Sequence, residues 1–444
     1  MTLTVFASMH QAVAQVAFAP ATNYAVGSSP YSVAAADVNG DGKVDLICAD
    51  EGDNKLMVLT NNGSGVFGSN ATYAVFDYPL SVVAADVNGD GWVDLVCVCP
   101  GANGLMVLTN NGSGSFVNAG TYYVGRIFNG SFMVTDVNGD GMADLVYPRG
   151  GNVLTNAGNG IFVAAPSLPP APGILSSCFA VAADVNGDGK TDLIDVDDTH
   201  SFSYMRVLTN NGDGTFTLCS SNTLATSLPS VGTIADINGD GKVALVVPDD
   251  SSGSGHTLAV LTNNGDGVFG SNATYAVDRG PLCVIAVDVQ GDGRVDLISA
   301  NLSNSYGTLT VLTNNGSGGF GSNSTLTVGH FPLSVVAADV NGNGKLDLIC
   351  ANANDNTLSV LINNSIFPPP TSTPALTINP SGNGMLVSWP SASAGWSLQQ
   401  NRDLTTTNWS PSGYSGYGIS DDGTNKSLII TPPTGNLFFR LLHP

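Results

Sequence analysis

Glutamate is almost absent from this sequence, and basic residues are scarce. Its 444 residues include 35 acidic residues, of which only Glu51 is a glutamate, against 13 lysines and arginines, so the formal net charge is −22. Because glutamate and lysine favour helices while aspartate favours turns and metal loops, this composition argues against a helical protein. The lack of clustered lysine and arginine excludes nucleic acid as a partner.

Long apolar runs and catalytic signatures are also missing. No run reaches the ~18 residues of a membrane-spanning helix, so no membrane span is predicted. The five histidines are scattered, without an HExxH or GxSxG pattern, and we predict that the protein is not an enzyme. The seven cysteines show no CxxC spacing. Cys48, Cys97 and Cys350 occupy the same place in three repeats and are predicted to be small buried hydrophobes.

The first 14 residues differ from the rest. They contain a short apolar stretch and end in Ala12-Val13-Ala14, a pattern typical of a signal-peptidase site, although no basic segment precedes it. We interpret residues 1–14 as the remnant of a signal peptide and expect secretion.

A repeated ten-residue motif organises most of the chain. DVNGDGKVDL at Asp37 recurs with small changes at Asp86, Asp136, Asp184, Asp236, Asp288 and Asp339, at a period of 48 to 52 residues. Each repeat reads as four short strands separated by Gly, Asn and Asp, for example Ser81–Val87 followed by the motif and Leu105–Asn111. Seven such units predict an all-β protein with a seven-bladed β-propeller of four-stranded blades.

The two ends of the repeat region predict how the ring closes. The last repeat lacks a fourth strand, and an extra copy of that strand, Val16–Val26, precedes the first motif. We therefore expect a propeller over residues 15–364 whose amino-terminal strand completes the seventh blade. A Pro-rich linker is predicted over residues 365–374. Residues 375–444 contain Trp389, Trp396 and Trp409 and predict a small β-sandwich of immunoglobulin or fibronectin type.

The motif D-x-N-x-D-G-x-x-x-D predicts a calcium loop. Side-chain oxygens at positions 1, 3, 5 and 9 and a backbone carbonyl at position 7 suit Ca²⁺, which takes six to eight oxygen ligands. An EF-hand is excluded because position 12 is apolar or Cys, as at Cys48. The alternative is a metal-free NG/DG hairpin turn, which does not require aspartate at positions 1 and 9.

The predicted ligands form five sets, by position in the motif. Position 1 is Asp37, Asp86, Asp136, Asp184, Asp236, Asp288 and Asp339, and position 3 is Asn39, Asn88, Asn138, Asn186, Asn238, Gln290 and Asn341. Position 5 is Asp41, Asp90, Asp140, Asp188, Asp240, Asp292 and Asn343, and the position 7 carbonyls belong to Lys43, Trp92, Met142, Lys190, Lys242, Arg294 and Lys345. Position 9 is Asp45, Asp94, Asp144, Asp192, Asp296 and Asp347, and Ala244 in the fifth repeat. We expect up to seven calcium ions, with the fifth site weakest.

These repeats, P-x-S-V-A-x-A-D-V-N-G-D-G-x-x-D-L followed by V-L-x-N-N-G-x-G-x-F, resemble the FG-GAP/VCBS repeat family of integrin α-subunit propellers and many secreted bacterial proteins. The resemblance covers roughly residues 16–364. It implies a propeller with calcium in the hairpin between the first and second strands of each blade. The carboxy-terminal region resembles small β-sandwich modules of secreted bacterial repeat proteins, and both resemblances imply an extracellular or cell-surface location.

Loops on the face opposite the predicted calcium loops are rich in aromatic and charged residues, which suit recognition of a sugar or peptide. A calcium-stabilised extracellular binding or adhesion module is therefore expected, with a carbohydrate or protein ligand. A self-assembling protein of a surface layer or filament is an alternative, and a polysaccharide-active enzyme such as a lyase is a second. The face residues are Tyr31, Asp77, Tyr78, Arg126, Phe128, Tyr147, Arg149, Asp197, Asp198, His200, Tyr204, Asp249, Asp250, His256, Asp278, Arg279, Tyr306, His330 and Phe331.

Overall fold

The structure is a computed structural model of the chain. It describes residues 16–125, 127, 132–169, 176–198, 203–224, 231–249, 255–303, 305–365, 376–381, 384–390, 397–401, 410–411, 420–421, 425–430 and 438–442. Three short 3-10 turns, Glu51–Asp53, Pro100–Ala102 and Pro148–Gly150, are the helical elements of this part of the chain. No helix in these residues is long and apolar enough to cross a bilayer.

Seven antiparallel sheets of four strands form the predicted seven-bladed propeller. Blade one contains β2 (Pro30–Ala36), β3 (Asp45–Asp50), β4 (Lys55–Asn61) and β5 (Phe67–Ala74). Blade two contains β6 (Ser81–Ala85), β7 (Asp94–Cys99), β8 (Gly104–Asn110) and β9 (Phe116–Tyr123). Blade three contains β10 (Met133–Thr135), β11 (Asp144–Tyr147), β12 (Asn152–Asn156) and β13 (Phe162–Ala164). Blade four contains β14 (Ser176–Ala183), β15 (Asp192–Asp198), β16 (Ser203–Asn210) and β17 (Phe216–Leu224).

The remaining blades follow the same order. Blade five contains β18 (Thr233–Ala235), β19 (Ala244–Asp249), β20 (Thr257–Asn263) and β21 (Phe269–Ala276). Blade six contains β22 (Pro281–Val287), β23 (Asp296–Asn301), β24 (Thr308–Asn314) and β25 (Phe320–Thr327). Blade seven contains β26 (Pro332–Ala338), β27 (Asp347–Asn352), β28 (Thr357–Leu361) and the amino-terminal strand β1 (Thr22–Ala25).

The pairing of β1 with β28 closes the ring. The two strands are antiparallel, with Thr22 opposite Val360 and Ala25 opposite Thr357. Phe18 and Asn363 form a further bridge just outside the strands. The prediction that the amino-terminal strand completes the seventh blade is confirmed, and β28 keeps no open edge on that side.

The second strand of each blade lies in the core between neighbouring blades. Every residue of β3 is buried. Side chains alternate between the two faces of a strand, so Ile47 and Ala49 pack against Leu95 and Cys97 of blade two. Cys48, Cys97 and Cys350 are fully buried, as predicted, and their thiols are free.

A tyrosine on the outer strand of one blade packs against a phenylalanine of the next. Tyr24 and Phe67 lie edge to face with ring centroids 5.3 Å apart, and the Tyr24 hydroxyl donates to the Gly65 carbonyl at 3.0 Å. The same arrangement joins three other blade pairs, Tyr73–Phe116, Tyr122–Phe162 and Tyr275–Phe320. This repeated contact helps to fix the orientation of adjacent blades.

The carboxy-terminal strands form two further sheets. One contains β29 (Thr377–Ser381), β30 (Gly384–Pro390), β34 (Asn425–Ile430) and β33 (Ser420–Asp421), and the other contains β32 (Ser410–Pro411), β31 (Ser397–Asn401) and β35 (Phe438–Leu442). Trp389 is buried, whereas Trp396, Trp409 and the linker after Ser365 lie outside the described residues. The sandwich and the domain boundaries stay predictions.

Candidate functional site

The predicted calcium loops all lie between the first and second strands of a blade. The loop at residues 37–44, for example, joins β2 to β3. Because consecutive strands are antiparallel, these loops and the hairpins between third and fourth strands lie on one face of the ring. The loops between second and third strands, and the connections between blades, lie on the other face.

Within each loop, the side-chain oxygens accept hydrogen bonds from the loop's own backbone. The Asp37 carboxylate accepts N–H groups from Gly40 and Gly42, both at 2.8 Å. Asn39 Oδ1 accepts the N–H of Asp41 at 2.9 Å. Gly42 has a φ of +81°, which lets the chain turn sharply between positions 5 and 7. The first-position aspartates of the other loops make equivalent bonds: Asp86, Asp136, Asp184, Asp236, Asp288 and Asp339.

The ninth-position aspartate is fully buried and bridges two backbone segments. Asp45 Oδ2 accepts the N–H of Val38 at 3.3 Å, and Oδ1 accepts the N–H of Asn61 at 2.8 Å. Burial raises the pKa of Asp45, and the charges of Asp41 and Asp37 raise it further, while the two N–H groups oppose the shift. Five other ninth-position pKa values are raised by burial in the same way, those of Asp94, Asp144, Asp192, Asp296 and Asp347.

An asparagine at the end of each third strand links neighbouring blades. Asn61 Nδ2 donates to the Val44 carbonyl in its own blade at 2.8 Å and to the Val340 carbonyl in blade seven at 2.7 Å. Equivalent bonds to the preceding blade come from Asn110, Asn156, Asn210, Asn263, Asn314 and Asn363. We call these seven residues the clasp asparagines. They were not predicted from the sequence, although the first Asn of the V-L-x-N segment recurs in every repeat.

The donor chemistry of the loops suits calcium. Carboxylate and amide oxygens are hard ligands, and a carboxylate that accepts two hydrogen bonds retains further lone pairs. The charges of Asp37 and Asp41 act on buried Asp45, and a bound cation would offset that repulsion. Within the described residues, no three His, Cys, Asp or Glu side chains lie close enough together to hold a metal ion. The calcium assignment therefore depends on donor chemistry and charge.

Two features distinguish individual loops. In the fifth, Ala244 is buried where other blades have aspartate, yet Asp236 still accepts the N–H groups of Gly239 and Gly241. A cavity of about 350 Å³ lies between this loop and blade six, lined in part by Asp236, Arg294 and Asn314. In the first, fourth and sixth loops the basic residue at position 7 lies near the acid at position 5. The Lys43–Asp41, Lys190–Asp188 and Arg294–Asp292 distances between nitrogen and oxygen are 3.2, 3.7 and 3.8 Å.

The opposite face presents exposed aromatic side chains, several of them among the predicted face residues. Tyr78, Tyr306 and Phe331 are 57%, 57% and 40% exposed. Tyr78 and Phe331 also have left-handed backbones, with φ of +62° and +60°, and each precedes a proline. Pro332 is the first residue of β26, and Pro79 lies two residues before β6. A bulky residue in this region is a genuine outlier, and such strain is typical of functional positions.

Tyr306, His330, Phe331 and Asp355 form what we call the junction patch, between blades six and seven. His330 Nδ1 lies 2.9 Å from Asp355 Oδ1, and the His330 backbone N–H donates to Asp355 Oδ2 at 2.7 Å. The Tyr306 and His330 rings are 4.7 Å apart with an interplanar angle of 38°. Asp355 thus holds the imidazole against the tyrosine ring.

Two predicted face residues lie in the interior instead. Tyr147 is the last residue of β11 and Asp197 belongs to β15, and both are buried. The prediction was wrong for them because these second strands extend further than the loop pattern suggested. Asp197 lies near buried Arg206, which also contacts Asp195. Arg126, Phe128, His200 and Asp250, and the side chains of Arg149 and Asp198, lie outside the described residues.

Two solved structures show a distant similarity to the chain. Two crystal structures of BBS1N in complex with ARL6DN, one soaked with lead and one with mercury, are similar at TM-scores of 0.38 and 0.37 with 12% and 11% identity. These matches cover 96% and 94% of this chain and 99% and 98% of the other, and similarity at this level says nothing about ligands. No curated protein matches the chain.

Six overlapping segments match the FG-GAP-like repeat: residues 37–97, 86–147, 136–194, 184–247, 236–299 and 288–350. Each segment begins at one predicted calcium loop and ends in the second strand of the next blade. Together they cover more than half of the sequence. The chain belongs to the FG-GAP-like repeat family.

Proposed function

We propose that the chain is a secreted, calcium-stabilised, non-enzymatic propeller that acts as an extracellular binding or adhesion module for a carbohydrate or protein ligand. The observation that carries the proposal is the junction patch. It combines exposed Tyr306 and Phe331 with the paired His330 and Asp355, on the face opposite the predicted calcium loops. Aromatic surface beside a few fixed polar groups is typical of ligand recognition.

Calcium supplies stability in this proposal. Each complete loop would hold one ion through oxygens at positions 1, 3, 5 and 9 and the position 7 carbonyl, as in Asp37, Asn39, Asp41, Lys43 and Asp45. Asp45 accepts the N–H of Asn61, a clasp asparagine that donates to the preceding blade. A calcium ion that stabilises the loop would therefore also stabilise the contact between blades. An extracellular location would keep sites of modest affinity filled.

The carboxy-terminal strands are proposed to pack as a small β-sandwich. Two antiparallel sheets, with Val387 and Trp389 of β30 buried, are consistent with this arrangement. The sandwich would follow the propeller through the Pro-rich linker, as the sequence predicts.

The binding function is tested by incubating the purified chain in calcium with arrays of glycans and peptides. We expect a ligand whose binding is lost in Tyr306→Ala/Phe331→Ala and retained in Tyr123→Ala, which removes an exposed aromatic side chain from the outer strand β9. Equal binding by both variants would place recognition elsewhere. Cleavage of an arrayed polysaccharide would favour the polysaccharide-active alternative.

One observation favours self-assembly as a second candidate. Exposed apolar side chains lie along the outer strands of blades two to four, at Val117, Tyr123, Val163 and Leu218. Exposed apolar side chains on neighbouring outer strands would offer a lateral contact between copies. Light scattering over a concentration series distinguishes the two candidates, because a monomer at all concentrations contradicts self-assembly.

A further inference from the structure

Two thiols lie in contact in the core between blades one and two. Cys99 Sγ lies 3.5 Å from Cys97 Sγ, and both residues of strand β7 are fully buried. Their side chains point to the same side because residues two apart in a strand share a face. Both belong to the hydrophobic cluster that contains Ile47 and Ala49 of blade one. Cys97 and Cys99 therefore form a closely spaced pair of sulfur atoms that is shielded from solvent.

A third sulfur atom belongs to the same cluster. Met106 of strand β8 lies directly opposite Cys97 in the antiparallel pairing and is also buried. Side chains opposite each other in such a pair lie on the same face, with Cβ atoms about 4.5–5.5 Å apart. Gly104 lies opposite Cys99 and contributes no side chain. The three sulfur-bearing residues of blade two thus share one face of the sheet.

Blade one has a different pair at the two cysteine positions. There the Cys48 thiol donates to Asp50 Oδ1 at 3.1 Å, whereas in blade two a second thiol, that of Cys99, takes the place of the carboxylate. Met57 lies opposite Cys48, as Met106 does opposite the first thiol of blade two. Blade one therefore has one thiol and a thioether without the second thiol, and it provides a matched comparison.

Strand geometry keeps the two thiols of blade two separate. Residues two apart in a strand are about 6.6 Å apart, whereas the Cβ atoms of a disulfide are about 3.5–4.5 Å apart. Strand β7 is paired on both sides, with β6 and β8, which opposes the bending that a disulfide would require. Two metal–thiolate bonds of about 2.3 Å, the length found in zinc sites, span up to about 4.6 Å between sulfurs. A bridging ion therefore needs the sulfurs, now 3.5 Å apart, to separate by only about 1 Å.

Three sulfur atoms on one face match the chemistry of a soft cation. Thiolate and thioether ligands select ions such as Cu(I), whereas calcium prefers oxygen. We propose that Cys97 and Cys99, with Met106 as a third donor, bind one Cu(I) ion in the core between blades one and two. Both cysteines bind as thiolates, so binding releases two protons to the solvent. Burial and the hydrogen bond from Cys99 raise the pKa of Cys97 well above its ordinary value, so the pair stays protonated without the ion.

The test is transfer of Cu(I) to the full chain from the chromophoric chelator bicinchoninate, in calcium and without oxygen. The parent is a Cys178→Ser/Cys219→Ser variant. It removes the exposed thiol of Cys219 and that of Cys178, whose side chain lies outside the described residues. Because the sulfurs are buried, the ion is offered both to the native protein and during refolding from urea. We expect the parent to bind one ion per chain, and Cys97→Ser or Cys99→Ser in that parent to bind none.

Cys48→Ser is the matched control. It removes a buried thiol that also lies opposite a methionine but has a carboxylate beside it, and it should still bind one ion. Thermal unfolding in calcium shows whether each variant folds. X-ray absorption at the copper edge should find three sulfur ligands in the parent and two in Met106→Leu, and the parent spectrum requires no change in the core of blade two.

Three results would overturn the inference. The first is no transfer of Cu(I) to the parent by either route, and the second is equal uptake by the parent and a folded Cys99→Ser variant. The third is nitrogen or oxygen ligands on the copper. Two sulfur ligands in both the parent and Met106→Leu would contradict the role of Met106. None of these results bears on the junction patch, so the proposed binding function is tested separately.

Discussion

Asp45 and Asn61 connect a predicted calcium loop to the neighbouring blade. The Asp45 carboxylate accepts the Asn61 N–H at 2.8 Å, and the Asn61 amide donates to the Val340 carbonyl in blade seven at 2.7 Å. Sequence position separates Asn61 from Val340 by 279 residues, so this contact joins the two ends of the ring. The same pair of interactions recurs around the propeller at every blade with an aspartate at position 9.

Replacing a clasp asparagine should destabilise the ring. Asn61→Ala leaves the Val44 and Val340 carbonyls without their donor, and we expect a loss of about 1–3 kcal/mol in the free energy of unfolding. Urea denaturation measures it. The adjacent Asn62 is exposed and provides a matched control, for which we expect a change within about 0.5 kcal/mol. Equal destabilisation by the two substitutions would show that the Asn61 bonds to Val44 and Val340 do not stabilise the ring.

The fifth blade allows a gain of function to be tested. Ala244 occupies the position that is aspartate in the other six blades, and it is buried beside an otherwise intact loop. Ala244→Asp should add one calcium ion per chain in titration calorimetry, because it restores the missing carboxylate. Ala244→Asn supplies a side chain of similar size without charge and should add none or a weaker site. The reverse change, Asp45→Ala, should remove one ion. An unchanged number of bound calcium ions in both Ala244→Asp and Asp45→Ala would show that the residue at position 9 is not a ligand.

Phe331 is expected to lower stability in favour of binding. Its φ is +60°, whereas the equivalent residue between blades five and six is Gly280, with a φ of +64°. Phe331→Gly should therefore be more stable than Phe331→Ala by about 1 kcal/mol, since only glycine adopts this conformation without strain. Both variants should lose ligand binding equally. Thermal unfolding of the two variants checks the difference, and a less stable glycine variant would refute the strain.

Asp50 is expected to make stability depend on pH. Burial raises its pKa from 3.8 to about 6. A carboxyl group whose pKa is raised by folding favours the folded state when protonated. Its contribution to the free energy of unfolding is therefore lost as the pH rises from about 4 to 6. Asp50→Asn should remove this loss and stabilise the protein at pH 7 by about 1–3 kcal/mol. Blades six and seven already have Asn301 and Asn352 at this position.

Unfolding in calcium at pH 4 and pH 7 measures the Asp50 effect as the difference between variant and wild type, because burial also raises the pKa of other aspartates, such as Asp296, to about 7. Exposed Asp266→Asn serves as the control and should follow the wild type. An Asp50→Asn variant with the same stability as the wild type at both pH values would show that Asp50 is not strained by burial.

The repeat motif was sufficient to predict the blades, the position of the loops and the closing strand, because each depends on local pattern. The clasp asparagines and the Tyr24–Phe67 type of contact were missed, because they join residues far apart in sequence whose partners are backbone groups or ring edges. Tyr147 and Asp197 were predicted to lie on the loop face but are buried, because the length of a second strand is not fixed by the motif that begins it. The left-handed backbone of Phe331 and the pairing of His330 with Asp355 likewise could not be predicted from the sequence pattern.

The dependence of the ring on calcium is measured most directly by thermal unfolding of the full chain in excess calcium and in EDTA, at low ionic strength. A ligand present at 100 times its dissociation constant stabilises the folded state by about 2.7 kcal/mol per site, so several filled loops should raise the melting temperature by many degrees. Addition of calcium to the EDTA-treated protein should restore the higher value. Superimposable unfolding curves in calcium and in EDTA would contradict the proposal that the loops are structural calcium sites.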